Sequence, residues 1–505
     1  MRRRCCFGLL TVLLIAGLIV FQSSIPAYAD APEDMFDQLL PGEREMGIEP
    51  GDRTLDYRQY PVDSYIWDLG YDLIEWSGWK MKLNDPFSLL LNWIANGLFM
   101  LNAFITRLCI FLMQLGFHTD LVNEQLSLIL PVMDGMRTGL FSKFLPWALV
   151  LLAAWMVKVG YWNNQTTRLT SGVIGSIVVL VGSYWFFTNA GQSIRAVSQT
   201  LDQLTQVTMG ALAAPYQRVT GEELKAGLAG AADQQLLATS NRLWQLFVDR
   251  PWLIGQFNRQ DSDDVRMTAE EVEAVQDLAE EEEVTIDAQV GDEWAHLMRQ
   301  YAPGMDQRNI LRKVMGDENV DHGDHADTAL LFMGGSAAIR CLVAVLSLVA
   351  TLTLLLFVGT VSFILVLAQE MALAILILAP VVLLLGLFPE RGFAFVRRWV
   401  GWLIGTLGTK VIYGFYMGFT LLVADVVARG SGILILQQIF VALLFFCAFL
   451  FRKKILKQML SIFQAPTPHE MYDVSKREIV YHVGEVKQSW QKTKDRAKKI
   501  IKKLK

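Results

Sequence analysis

Charge is scarce in this chain. Only 19% of its 505 residues are Asp, Glu, Lys or Arg, against about 25% in a soluble globular protein. Apolar residues reach 53%, and mean hydropathy is +0.33. A fully soluble enzyme is a poor match to that balance. Cysteine is also sparse. Cys5, Cys6, Cys109, Cys341 and Cys447 lie in or beside apolar runs, without metal-ligand spacing. That excludes a disulfide framework and a cysteine-based zinc site. The phosphate-binding loop of nucleotide hydrolases is missing too. Gly405-Thr-Leu-Gly-Thr-Lys410 has the wrong spacing, lies in an apolar run, and lacks a Ser or Thr after the lysine. Neither an HExxH zinc motif nor a nucleophile elbow is present, so no catalytic residue, metal or cofactor is expected.

What the chain does have is long apolar runs. Arg2, Arg3 and Arg4, an apolar Phe7–Phe21 and the small-residue Ala27-Tyr28-Ala29 read as a cleavable signal peptide, 1–29. A polar lead, 30–85, follows on the outside. It carries Trp67, Trp76 and Trp79 near its end, as befits an approach to a membrane interface. Since about 20 apolar residues cross a bilayer, runs at 87–117, 145–162 and 172–190 read as three helices within 86–190. Region 337–451 supplies four more. Two come from a tight hairpin over 337–388 punctuated by Glu370, with Pro380 kinking the second. The others come from 401–427 and 432–451. The fold class is therefore all-α: a polytopic membrane protein with about seven transmembrane helices, a large polar insertion at 191–336 and a basic tail at 452–505.

Arg391, Arg397 and Arg398, and the Arg452, Lys453, Lys454 and Lys457 group, favour the cytoplasm. The C-terminus is then inside and the mature N-terminus outside. With seven spans the insertion falls inside. The insertion holds fourteen acids and one arginine between Asp261 and Glu293, which reads as a solvated face. It also holds "LWQLFVDRPWLIGQF", Leu243–Phe257, with Trp244, Pro251 and Trp252. That stretch reads as a short amphipathic helix, a turn at Pro251 and a second aromatic anchor, making an interface or subunit contact; a purely structural helix is the alternative. His322 and His325, flanked by Asp321 and Asp324, read as a polar loop, with divalent-cation binding the minor alternative. Among ionisable residues in spans, Glu370 and Asp425 read as span-end groups and Lys410 as a candidate lumen-facing group. The tail, with fifteen Lys or Arg and five Asp or Glu, reads as a helix on anionic lipid. Lys498, Lys499, Lys502 and Lys503 would touch headgroups; single-stranded nucleic acid is the other candidate.

Taken together, the signal peptide and tryptophan-rich lead, the Leu243–Phe257 stretch, the hairpin running into "LAPVVLLLGLFPERGFAFVRRWVGWLIGTL" (Leu378–Leu407) and the basic tail resemble the TrbL-like polytopic channel subunits of Gram-positive conjugative type IV secretion systems. The resemblance covers most of the chain; the acidic run after Asp261 has no counterpart in it. It implies a subunit that helps build the path for single-stranded DNA and attached protein in a multi-pass cell-membrane complex. It also implies self-assembly and partnership with other secretion subunits and their ATPases. A secondary transporter or permease is the rival reading, and a membrane scaffold without a pore is a third. No internal repeat of the transporter kind is visible.

Overall fold

A computed structural model describes residues 56–462 apart from the short stretches 71–73, 78–79, 84–85, 119–124, 163–165, 221–230, 318, 333–335, 389–391 and 431–433. The signal peptide, residues 30–55 of the lead, and most of the tail, including Lys498, Lys499, Lys502 and Lys503, lie outside the described residues. Among the described residues the regular structure is helical apart from one antiparallel hairpin of β1 (Ile74–Ser77) and β2 (Lys80–Leu83), with Ile74 opposite Leu83 and Ser77 opposite Lys80.

The helices are α1 (Pro86–His118), α2 (Leu126–Tyr161) and α3 (Thr166–Thr220). Through the insertion run α4 (Ala231–Trp244), α5 (Arg250–Phe257), α6 (Ala269–Glu281), α7 (Trp294–Gln300), α8 (Asp306–Met315) and α9 (Ala326–Phe332). They are followed by α10 (Ala337–Ile377), α11 (Ala379–Gly386), α12 (Gly392–Gly430) and α13 (Leu434–Ile462). Among the described residues, five stretches have the length and composition to cross a membrane: α1, α2, Gly172–Gln192 of α3, α10, and Gly392–Ala424 of α12.

Two details depart from the sequence reading. The hairpin expected at Glu370 is absent, because α10 continues through Glu370 to Ile377. The break comes at Leu378, and Pro380 lies in the first turn of α11. Proline has no amide for the preceding turn and its ring crowds the carbonyl four residues back, so it starts a helix rather than bending one. The third apolar run does not end near 190 either. Its helix carries on to Thr220, with non-helical backbone only at Asn189.

The chain divides into two compact units. The first comprises 1–119, 213–362 and 419–449. In it α1 buries a stripe at helical spacing, Asn92, Ala95, Phe99, Asn102, Thr106, Cys109 and Met113. The first part of α10 runs parallel to α1. Arg340 donates to Asn92 Oδ1 (2.9 Å) and Thr351 donates to Asn102. Farther along, Gly116 meets Ser362 so closely that a Cβ on the glycine would sit 2.9 Å from the serine Cα. Phe445 of α13 stacks between Phe247 (5.7 Å) and Phe357 (5.9 Å).

The second unit comprises 120–212, 363–418 and 450–505. Its core joins Leu126, Ile129, Met133 and Phe141 of α2, Ala190 and Ile194 of α3, Leu373 and Leu376 of α10, and Trp399 and Leu407 of α12. The Trp399 indole donates to the Ile375 carbonyl at 2.9 Å. A Cβ on Gly386 would fall 2.4 Å from Val396 and 2.9 Å from Val179, so this crossing needs a glycine.

Candidate functional site

Leu243–Phe257 is one helical path rather than a helix, a turn and an anchor. A wide π-helical turn, Gln245–Asp249, links α4 to α5. Pro251 lies in the first turn of α5, where its missing amide disturbs least. Asn258, left-handed at φ 53°, closes the helix by donating its amide to Ile254 O at 3.0 Å.

Trp244 and Trp252 are both 0% exposed, and Pro251 is buried. The expectation of an interface or subunit anchor is corrected accordingly: these residues are core. Their partner is the polar lead of the same chain. Trp252 Nε1 donates to Ile66 O, and Trp67 Nε1 donates back to Trp252 O, each at 3.0 Å. Trp244 Nε1 donates to the Tyr65 hydroxyl at 3.1 Å. Gln256 accepts from the Asp68 amide (2.9 Å) and donates to the Asp68 carbonyl (3.3 Å). The indole of Trp67 lies where a Cβ on Gly255 would be, 2.4 Å away. Trp67 is therefore core as well, not a membrane-interface residue.

Arginines of α7 and α8 complete the clamp. Arg299 pairs with Asp249, and its guanidinium lies over Tyr60 (4.7 Å), Trp252 (5.2 Å) and Tyr65 (5.6 Å), a cation–π arrangement in a desolvated site. Arg308 Nη2 reaches Asp68 Oδ2 (2.8 Å), and the same guanidinium donates to Tyr301 O (3.1 Å) and Ile66 O (3.2 Å). Arg312 donates to Leu69 O at 3.0 Å. Burial, with the Asp249 charge beside it, pushes the Tyr65 phenol far above its ordinary value. The lead at 57–70 and the insertion thus form one body. Groups in direct hydrogen-bond contact leave no room for a bilayer between them, and these contacts do not fit an outside lead with an inside insertion.

A second polar cluster sits at the start of α6. Thr268 caps this helix. Its Oγ1 accepts the Glu271 amide (3.2 Å), and Glu271 Oε2 accepts the Thr268 amide (2.8 Å), a reciprocal capping box. Glu271 is 0% exposed. Its Oε2 also takes the Trp294 indole N–H at 2.9 Å. Its Oε1 faces His322 Nδ1 at 2.7 Å and His325 Nε2 at 2.9 Å. His322 Nε2 faces the Asp317 carbonyl at 3.0 Å. Gly323, at φ 56°, makes the turn that sets both histidines on one carboxylate.

Burial opposes the Glu271 charge, but the bonds from His322, His325, the Thr268 amide and Trp294 outweigh it and hold the carboxyl at about 2. Burial likewise opposes a charged His322, yet Glu271 and the Asp317 carbonyl raise it above its ordinary value. The polar loop expected at 321–325 is thus one wall of a buried His-His-Glu cluster. The sequence reading missed Glu271, one acid among fourteen. The signal that marks it is Thr-x-x-Glu at 268–271, the capping-box pattern.

Elsewhere, Lys410 stands half-buried within α12. Glu370 is not at a helix end; it lies within α10 and accepts from Gln125 Nε2 at 3.2 Å. The side chain of Asp425 is outside the described residues. No protein-family model, curated protein or solved structure matches the chain.

Proposed function

We propose that this chain is a multi-pass subunit of a conjugative type IV secretion channel, helping form the path for single-stranded DNA and attached protein. The reading rests on the resemblance given above. The observation that supports it best is the clamp: a folded polar body, bound to the lead and interleaved in sequence with membrane-compatible helices. Such a body gives a membrane subunit a rigid surface beyond the bilayer on which other secretion subunits and further copies of the chain can assemble. Energy comes from partner ATPases. The basic tail, with Lys498, Lys499, Lys502 and Lys503, rests on anionic lipid of the inner leaflet, and Lys410 faces the path.

On this reading the lead and the insertion share the outer face. The parallel start of α1 and α10 agrees with it, since both helices then begin on one side. An even number of crossings must separate them. From Asn92 to Gln114, about 33 Å along the axis, α1 carries polar contacts to the polar body: Asn92 to Trp67, Asn102 to Phe247, Arg107 to Tyr57, and Gln114 to Tyr57 and Ser240. We assign α1 to that body. The helix of Leu126–Tyr161 and that of Gly172–Gln192 supply the two crossings.

Deletion of the gene from a conjugative donor tests the function. Transfer should fall by several orders of magnitude and return with the wild-type chain, while relaxase nicking of the DNA continues. Normal transfer from the deletion strain rejects the reading.

A further inference from the structure

We propose that Glu271, His322 and His325 bind a divalent transition cation of the zinc class, with Glu271 Oε1, His322 Nδ1 and His325 Nε2 as the protein ligands. This inference is independent of the conjugation reading. The three ligand atoms lie within 4.8 Å of one another, and all three residues are buried. A tetrahedral ion with bonds of about 2.0–2.1 Å holds its ligands about 3.3 Å apart. The present Glu-to-His separations of 2.7 and 2.9 Å would open by about half an ångström, and the His-to-His separation, within 4.8 Å, would close by up to about 1.5 Å, a side-chain adjustment around an ion bonded at about 2.0–2.1 Å.

The donor set selects the ion. Two imidazoles and one carboxylate suit zinc and its first-row neighbours, whereas calcium and magnesium require oxygen. The surroundings are those that orient metal ligands. A ligating histidine ordinarily gives its other N–H to a carbonyl or carboxylate, and His322 Nε2 has the Asp317 carbonyl at 3.0 Å. The far oxygen of Glu271 is held by Trp294 Nε1 and the Thr268 amide, which leaves Oε1 directed at the histidines.

The two ring nitrogens of His322 divide the work: Nδ1 faces Glu271 Oε1 and would take the cation, and Nε2 keeps the Asp317 carbonyl. The ion ties the first turn of α6 to a turn 51 residues later, and a water completes the fourth position. It would act as a staple for the polar body, since the described cysteines, Cys109, Cys341 and Cys447, are free.

The test uses the full chain in detergent, with any affinity tag removed and metal stripped by a chelator. Zinc competition against a chromophoric chelator should show one tight site per chain, and zinc should raise the unfolding midpoint of the polar body by several degrees. Cobalt should give the strong visible absorption of a four-coordinate nitrogen–oxygen site. His325→Ala and Glu271→Gln should each weaken binding at least tenfold. Trp294→Phe keeps all three ligands but loses the Glu271 support, and should weaken binding by roughly 10–100-fold. The proposal is overturned if the wild-type chain takes up no metal at micromolar concentration, or if cobalt gives only a weak six-coordinate spectrum. Equal affinity in wild type and a folded His325→Ala chain also overturns it. The cobalt spectrum belongs to the wild type, so the proposal can fail even if every variant misfolds.

Discussion

The polar body and the apolar helices of the second unit differ in how far their buried polar groups reach: hydroxyls of the second unit bond mostly within their own helix, with Trp399 to Ile375 and Ser176 to Leu387 reaching across. In the second unit, Ser183, Thr406 and Thr409 each bond back to their own helix, to the carbonyls of Val179, Trp402 and Gly405. In the polar body, buried donors reach across the sequence: Trp252 to Ile66, Arg308 to Asp68, Arg340 to Gly255. The surfaces differ in the same sense. Among the described residues of 231–332, only Val290 and Met305 are large apolar side chains left exposed. In α2 and α3, Trp147 is 69% exposed, Val150 60%, Tyr184 77% and Trp185 58%. Where hydrocarbon surrounds a helix, polar groups must close locally. Where water does, apolar groups turn inward and polar networks hold the body together. One chain is thus built for two solvents.

The largest test is all-or-none. Gln59→Cys in the lead and Thr285→Cys in the insertion are both exposed positions. If the two segments share the outer face, a membrane-impermeant maleimide should label both in intact cells, above the background of the native cysteines. Labelling of Gln59→Cys alone would break the one-body reading in the cell.

Next comes a tryptophan pair, one in each region. Trp252→Ala removes a fully buried indole and its bond to Ile66, and should cost about 3–5 kcal/mol. Protease should then cut the lead much faster. Trp147→Ala, on the exposed face of α2, should cost less than about 1 kcal/mol in detergent. Equal losses would mean that α2 packs against something the isolated chain does not contain.

Much of the helical, membrane-compatible character was legible, because long runs without charge leave few other solutions. The clamp was not. Trp67 and Trp252 are 185 residues apart, and nothing local in either segment names the other. Both were read by composition as surface aromatics, and the same composition serves a core once each indole N–H has a carbonyl. Arg308 and Glu271 were hidden for a similar reason. Charged side chains are expected outside, and only tertiary partners make them residents of a core. The Thr268 capping box was visible, but not the two histidines that it serves.

Arg308→Met probes the charge network. Removing one partner of a buried ion pair leaves Asp68 uncompensated, at a cost of about 3 kcal/mol. Adding Asp68→Leu should recover part of that loss, as measured by denaturant unfolding of the polar body. If the double variant is no better than the single one, the guanidinium works mainly through its bonds to the Tyr301 and Ile66 carbonyls.

The smallest effect separates the two regions most finely, because it compares two threonine hydroxyls. Thr268 Oγ1 accepts the Glu271 amide at 3.2 Å, one of the donors at the start of α6 that no helix carbonyl can reach. Thr268→Ala leaves that amide without its cap and should cost about 1 kcal/mol, whereas Thr268→Ser keeps the oxygen and most of the stability. Thr409 Oγ1 merely donates to the Gly405 carbonyl, which the α12 backbone already uses. Thr409→Val retains the shape and removes only the hydroxyl, so it should be within about 0.5 kcal/mol of wild type. Amide hydrogen exchange on metal-stripped protein reads both sites: faster exchange in the first turn of α6 for Thr268→Ala, and no change around 405–409 for Thr409→Val. Destabilisation by Thr409→Val as large as that by Thr268→Ala would show that the apolar unit draws as much from a hydroxyl bond within its helix as the polar body draws from its cap, and the contrast of solvents would no longer account for how each region is held.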